Sequence, residues 1–111
     1  MKRGDLVFTY TILKKEFTFL KTDYNFKIYM KQKHGSYYFI IWTNMRKNIM
    51  VLYDLMVETP ITIRVFGADS FGIDADEYGC EFAQSEGSPR VKIRCAANWL
   101  KKAIADQYIE I

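Results

Sequence analysis

An acidic stretch in the second half of the chain comes nearest to the spacing of a metal site. Asp74, Asp76 and Gly79 stand at the first, third and sixth positions of a calcium-binding loop. Tyr78 and Ser85 stand at the fifth and twelfth positions, where that loop needs an oxygen ligand and a bidentate glutamate. No helical pattern flanks the stretch. The sequence therefore favours a solvated hairpin or a partner-facing acidic loop over a calcium site.

Catalytic groups are sparse in this chain. His34 is the only histidine, and the sequence places neither a nucleophile nor an orienting carboxylate with it. Asp69, Asp74, Asp76 and Glu77 could hold a divalent ion for a nuclease, but no lysine stands near them. The patterns of serine hydrolases, P-loop proteins, dinucleotide-binding folds and zinc metalloproteases do not occur. A metal-dependent enzyme is therefore the third function that we consider, and we predict no cofactor.

Residues 24–43 predict a β-hairpin, which is the clearest structural signal in the chain. We expect a two-residue loop at His34 and Gly35, because these residue types accept the positive φ that such a loop needs. Met30 then faces Phe39. Alternation gives one apolar face, assigned to the core, with Phe26, Ile28, Met30, Phe39 and Ile41. The opposite face combines cations with aromatic and aliphatic side chains: Lys27, Tyr29, Lys31, Tyr38, Ile40 and Trp42.

This opposite face of the hairpin has two interpretations. Its rings could lie under a helix or a second sheet while the lysine stems extend to water. Alternatively, it is an exposed platform on which a protein partner is anchored or bases stack. We assign partner binding to five of its residues and three acidic ones: Lys27, Tyr29, Lys31, Tyr38, Trp42, Asp74, Asp76 and Glu77. A register shift of one residue would exchange the two faces.

The composition is that of an ordinary globular domain, with an uneven distribution of charge. The chain has 111 residues, half of them hydrophobic, and a net charge of +3. Residues 1–60 carry ten Lys or Arg against five acids, whereas residues 61–111 carry six against eight. Two cysteines without CxxC spacing do not predict a zinc site. No stretch is apolar enough to span a bilayer and the start does not resemble a signal peptide, so we expect a cytoplasmic protein.

Alternating apolar residues predict further strands on both sides of the hairpin. These strands are 6–13, 16–22, 61–66, 71–76, 80–84 and 90–95. Residues 96–108 predict an amphipathic helix with Trp99 on its apolar face. Residues 45–58 fit two periods. We prefer a helix capped by Asn44, because Leu and Met favour helices, over a strand that begins near Ile49.

These patterns predict one α+β domain over residues 1–111. It contains an antiparallel meander sheet, with a half-barrel as its more curled alternative, a C-terminal amphipathic helix and a second helix at about 45–58. The leading function is a small non-enzymatic binding protein that acts through a protein–protein interface, as inhibitors and immunity proteins do. The alternative is a nucleic-acid-binding module that uses the basic and aromatic hairpin face. We predict no membrane partner.

Overall fold

The protein is an α+β fold in which helices cover one side of an antiparallel sheet. A computed structural model describes residues 3–54, 61–70, 74–79 and 89–111, with the side chains of the first helix described from Tyr10 onward. The helices are α1 (Arg3–Glu16), α2 (Phe19–Tyr24) and α3 (Pro89–Ala105). The strands are β1 (Lys27–His34), β2 (Tyr37–Thr43), β3 (Lys47–Asp54), β4 (Ile61–Gly67) and β5 (Asp76–Tyr78).

The five strands lie in the order of the chain, β1-β2-β3-β4-β5, and every neighbouring pair is antiparallel. The predicted meander is therefore confirmed, and β1 and β5 are the outermost of the described strands in a sheet that does not close. No helix among the described residues is both long and apolar enough to cross a membrane.

The core lies between the helices and one face of the sheet. From the strands it takes alternate residues, which are Tyr38, Ile40 and Trp42 of β2, Ile49, Val51 and Tyr53 of β3, and Ile61, Ile63 and Val65 of β4. From the helical side it takes Leu13, Phe17, Leu20, Ile93, Ala97, Leu100 and Ile104. Helices α1 and α3 contact each other, and they also contact β2 and β4 respectively. Burial of these apolar side chains is the main stabilising contribution to the fold.

The hairpin forms as predicted, but its register differs by one residue. Its loop is Gly35-Ser36, with a positive φ of 66° at Gly35 and not at His34. Glycine at the first central position with positive φ is what a type II′ turn requires. His34 therefore pairs with Tyr37, and the two faces of β2 exchange relative to our prediction.

The register also shifts near the start of β1. Ile28 pairs with Trp42 and Met30 pairs with Ile41, so Tyr29 is an extra residue on this edge strand. Such an irregularity bends an edge strand and weakens its ability to pair with another chain.

The strands predicted at 6–13 and 16–22 are wrong, because these residues belong to helices α1 and α2 and their connection. The β-branched and aromatic residues of this region favour strands locally. Packing decides otherwise, since the buried residues Leu13, Phe17 and Leu20 recur at helical spacing against the core. A weak intrinsic preference is commonly overridden in this way.

The strand predicted at 90–95 is also wrong, because it forms the first half of α3. Pro89 is the first residue of this helix, a position where proline loses no hydrogen bond. Ile93, Ala97 and Leu100 are buried at helical spacing, whereas Arg90 is exposed. The helix predicted at 96–108 is confirmed as far as Ala105.

The preferred helix at 45–58 is wrong, and the strand alternative is correct for the described residues 47–54. Ile49 and Val51 are fully buried while Met50 and Leu52 are less so, as a sheet with one covered face requires. Asn44 caps a turn and not a helix, because its Oδ1 accepts the backbone N–H of Arg46 at 2.9 Å and of Lys47 at 2.7 Å. Residues 55–58 lie outside the described part of the chain.

The other predicted strands fall partly outside the described residues. The strand predicted at 61–66 is confirmed as β4. Residues 71–73 and 80–84 are not among the described residues, and β5 begins only at Asp76.

Candidate functional site

The residues assigned to the partner-binding hairpin face do not share one face. Tyr38 and Trp42 are 0% and 2% exposed and belong to the core beneath the helices. The burial interpretation therefore holds for these two rings, because the register places them on the helix side of β2. Lys27, Tyr29 and Lys31 remain exposed on the edge strand β1. A surface that stacks bases on Tyr38 and Trp42 does not exist in this fold.

Tyr38 instead stands at the centre of a cluster of tyrosines. Its ring centroid is 4.8 Å from that of Tyr10 and 6.4 Å from that of Tyr53, with which it stacks. Lys31 Nζ lies 5.8 Å from the centroid of the Tyr10 ring, close enough for a cation–π contact. Burial, and to a lesser extent the negative charge of an ionised Tyr38, raises the pKa of both Tyr10 and Tyr53.

These raised pKa values predict that stability falls at high pH. Below the ordinary tyrosine pKa of about 10, Tyr10 and Tyr53 are protonated in both the folded and the unfolded chain. Above it, the unfolded chain releases these protons first, so unfolding becomes more favourable as the pH rises through the raised pKa values. Urea unfolding at about pH 8 and about pH 11 measures the loss. Tyr53→Phe should reduce it, and an identical loss in that variant would contradict this cause.

The three assigned acidic residues do not form one site. Asp74 lies in an exposed turn, and Asp76 and Glu77 are consecutive residues of β5 whose side chains therefore point to opposite faces. Within the described ranges, no group of three histidine, cysteine or acidic residues is arranged to hold a metal ion. Only Glu77 reaches the sheet face opposite the helices, where Arg64 is its register partner.

We call that opposite side of the sheet the open sheet face. All three described helices pack on the other side. Paired residues cross the open sheet face in rows, and one row runs Met30, Ile41, Met50, Arg64 and Glu77 from β1 to β5. The face combines apolar residues with polar and charged ones such as Thr62, Arg64 and Glu77, and no described helix covers it.

A cavity of about 640 Å³ lies on the open sheet face, and we call it the groove. Among the described residues, its apolar lining consists of Tyr29, Met30, Ile41, Met45, Met50, Phe66 and Ala68. The polar lining residues in the same ranges are Lys27, Thr43, Asn48 and Arg64. Ile41 and Phe66 are 7% and 8% exposed and form the floor, whereas Tyr29, Met30 and Met45 are 62%, 40% and 73% exposed at the rim.

Two polar groups in the groove lack hydrogen-bond partners among the described residues. Asn48 is 8% exposed, and its buried Oδ1 accepts no hydrogen bond from them. The buried Nε of Arg64 has no acceptor there, and Arg64 forms no ion pair with any residue in the described ranges. Leaving a buried polar group unpaired costs about 1–3 kcal/mol. Both groups would therefore gain from a bound partner that supplies the missing hydrogen bonds.

Met45 occupies a strained backbone position at one end of the groove. Its φ is 75°, in the left-handed region that favours glycine or asparagine. The turn is held by the Asn44 side chain and by Thr43 Oγ1, which accepts the backbone N–H of Met45 at 3.1 Å. A large apolar residue that is both strained and exposed is not explained by stability, and such strain is often found at functional sites.

Sequence reasoning misses most of the groove. A helix at 45–58 does not place Asn48 and Met50 beside Arg64 and Phe66, so these four residues have no common surface in the sequence prediction. The available signal is the alternation within β3 and β4, which places all four on the face opposite the core residues Ile49, Val51, Ile63 and Val65.

A second surface lies on the outer side of the helices, and we call it the basic helical surface. Its exposed cations are Lys14, Lys15, Lys21, Arg90, Arg94, Lys101 and Lys102. Among the described side chains, the acids on the same helices and just beyond their ends are Glu16, Asp23 and Asp106. Arg94 is bound to Glu16, with Nη2 3.3 Å from Oε1, and Lys101 Nζ lies 5.1 Å from the Phe19 ring centroid.

Comparisons with known proteins do not identify a relative of this chain. No known protein family matches the chain. No curated protein and no solved structure matches it either. The function is therefore proposed from the groove and from the basic helical surface.

Proposed function

We propose that this is a non-enzymatic protein that binds another protein through the groove of the open sheet face. The observation that carries the proposal is the exposure of Tyr29, Met30 and Met45 beside the apolar floor of Ile41 and Phe66. Contiguous exposed apolar surface of this kind is typical of interaction sites, and a central aromatic residue commonly anchors them. Methionine side chains adapt to partners of different shape.

The more specific form of the proposal is an inhibitor or immunity protein that works in the cytoplasm. Such a protein acts by covering a surface of its target and needs no catalytic group of its own. The size of the chain and the separation of an apolar groove from a charged helical side support this form.

Selection of binding peptides tests the proposal directly. A phage-displayed library of random peptides is selected on the immobilised protein, and the affinities of the retained peptides are measured. The double change Tyr29→Ala and Met45→Ala should weaken their binding by about 30-fold or more, as expected for interface anchors worth at least about 2 kcal/mol. The matched control, Lys14→Ala with Lys15→Ala, should bind normally. Peptides that bind the groove variant but not the control variant would contradict the proposal.

Met45→Gly separates stability from binding at the same residue. Glycine accepts a φ of 75° freely, and the Met45 side chain is mostly exposed, so little packing is lost. We expect the free energy of unfolding to rise by about 0.5–1 kcal/mol, because relief of left-handed strain exceeds the added freedom of the unfolded chain. Binding of the selected peptides should weaken in the same variant. Urea unfolding and peptide titration measure both, and weaker stability would show that Met45 is placed for packing.

The basic helical surface favours a second candidate function, binding of a nucleic-acid backbone. Among the described side chains of the helices and their ends, it carries seven exposed cations against three acids. Because the core encloses Tyr38 and Trp42, contact with phosphates would replace the base stacking that the sequence suggested. Fluorescence anisotropy with single-stranded and duplex DNA and RNA tests this function. The affinity should fall steeply with salt and should drop in a Lys101→Glu, Lys102→Glu variant. Absence of binding at low salt would exclude it.

A further inference from the structure

We infer that the protein segment bound in the groove carries a carboxylate between apolar side chains, and that Arg64 receives this carboxylate. This inference rests on the proposed function and specifies the chemistry of the partner. It starts from the two unpartnered polar groups of the groove and from the charges around them.

Arg64 is poised to bind a carboxylate. Its Nε is buried in the groove without an acceptor, so the guanidinium has hydrogen-bonding capacity that the described residues do not use. A carboxylate can accept two parallel hydrogen bonds from an arginine, and this pairing is among the strongest in proteins. Glu77 is the register partner of Arg64 on β5, but the two form no ion pair.

Asn48 provides the second polar contact to the bound segment. It pairs with Phe66, so it lies diagonal to Arg64 across β3 and β4, where side chains on one face are roughly 7–8 Å apart. Its unpartnered Oδ1 needs a donor, such as a backbone N–H of the bound segment. A residue whose carboxylate meets Arg64 can therefore present a neighbouring N–H to Asn48.

The charge of the groove supports an acidic segment and argues against a second copy of this chain. The lining contains two cations, Lys27 and Arg64, and no acid among the described residues. Arg46, which is exposed in the turn beside Met45, adds a third cation. Two copies that met through this face would bring these cations together, which costs free energy, whereas an acidic partner would compensate them.

The exposed rim argues for a protein segment and against a small carboxylate. A small molecule held between Arg64 and Asn48 would occupy the floor of the groove. It would leave the exposed side chains of Tyr29 and Met45 in water. A peptide chain with apolar residues on each side of its acid covers the floor and the rim together, as interfaces with a buried centre do.

The experiment is a double-mutant cycle between the protein and a peptide selected on it. Retained peptides should be enriched in Asp or Glu flanked by apolar residues. Arg64→Gln should weaken binding of such a peptide by about 10- to 100-fold, the range for a lost hydrogen bond to a charged group. The same change should have little effect on a peptide whose acid is replaced by its amide. Arg64→Lys keeps the charge but loses the planar fork of the guanidinium. Its affinity for the acidic peptide should therefore lie between those of the unchanged protein and of Arg64→Gln.

Glu77→Gln provides a control with the opposite sign. It removes the carboxylate that is paired in register with Arg64, so binding of the acidic peptide should tighten. Thermal unfolding of each variant checks that the fold is intact.

The outcomes distinguish the inference from the proposed function. Peptides that depend on Tyr29 and Met45 but not on their own acid or on Arg64 would overturn the inference and leave the proposed function standing. Displacement of the peptide by octanoate at equal concentration would overturn the inference, because it would show that the groove binds a small carboxylate. Failure of the selection to yield any peptide sensitive to Tyr29 and Met45 would overturn both.

Discussion

Replacement of Trp42 by alanine is expected to lower the free energy of unfolding by about 3–5 kcal/mol. Trp42 is 2% exposed, and its ring fills space between β2 and the helical layer. Truncation removes this large apolar contact and leaves a cavity that close-packed neighbours fill only partly. Urea unfolding followed by circular dichroism measures the change.

Two matched variants show that this loss comes from burial. Trp42→Phe keeps a ring and removes the buried Nε1–H, which has no acceptor in the described part of the chain, so it should cost much less than alanine. Tyr29→Ala removes an exposed ring from the same hairpin and should change the free energy of unfolding by less than about 0.5 kcal/mol. If Trp42→Ala were as mild as Tyr29→Ala, Trp42 would not lie on the helix-covered face of β2, and the register described above would be contradicted.

Replacement of Leu100 by alanine is expected to lower the free energy of unfolding by about 2–5 kcal/mol. Leu100 is 0% exposed in the middle of α3, and it anchors this helix in the core cluster. Without it, the helix loses a large part of the packing that holds it on the core, and this packing matters because an isolated helix of this length is marginal in water.

Asn98→Ala is the matched control on the same helix. Asn98 is exposed two residues away, and its replacement should change the free energy of unfolding by no more than about 0.5 kcal/mol. Equal losses for Leu100→Ala and Asn98→Ala would contradict the packing of α3 described above.

The fold class could be predicted from the sequence, but the face of the hairpin could not. Loops at His34-Gly35 and at Gly35-Ser36 both offer glycine a positive φ, so turn chemistry does not choose between them. Hydrophobicity does not choose either, because β2 has apolar residues on both faces: Tyr38, Ile40 and Trp42 on one, and Phe39 and Ile41 on the other. The choice is made by the helices that cover one face, which is a tertiary effect.

The N-terminal helices also depend on tertiary packing that the local sequence pattern does not reveal. Residues 6–13 contain the threonines and aromatic rings that favour strands, and their alternation over a few residues cannot be told from part of a helix. The longer spacing of Leu13, Phe17 and Leu20 does indicate a helix, but it crosses the end of α1 and enters α2. A helical spacing that continues across a bend is hard to recognise when only a few consecutive residues are considered.

The groove depends on segments that are distant in the sequence. Tyr29, Met45 and Arg64 come from β1, a turn and β4, and they meet only when the strands pair in their actual register. The strain at Met45 has no sequence signal, because methionine does not mark left-handed backbone as glycine does. The acidic residues stand out in the sequence, but neighbouring strand positions separate Asp76 from Glu77 onto opposite faces.

Methyl NMR of a protein labelled at methionine and alanine tests the central claim, binding through the open sheet face, most directly. Three of the five methionines, Met30, Met45 and Met50, line the groove. Titration with a selected peptide should shift these three signals together, while Ala105 on the exposed side of α3 keeps its position. Saturable binding that shifts Ala105 and leaves the three methionines unchanged would contradict the claim and move the binding site to the basic helical surface.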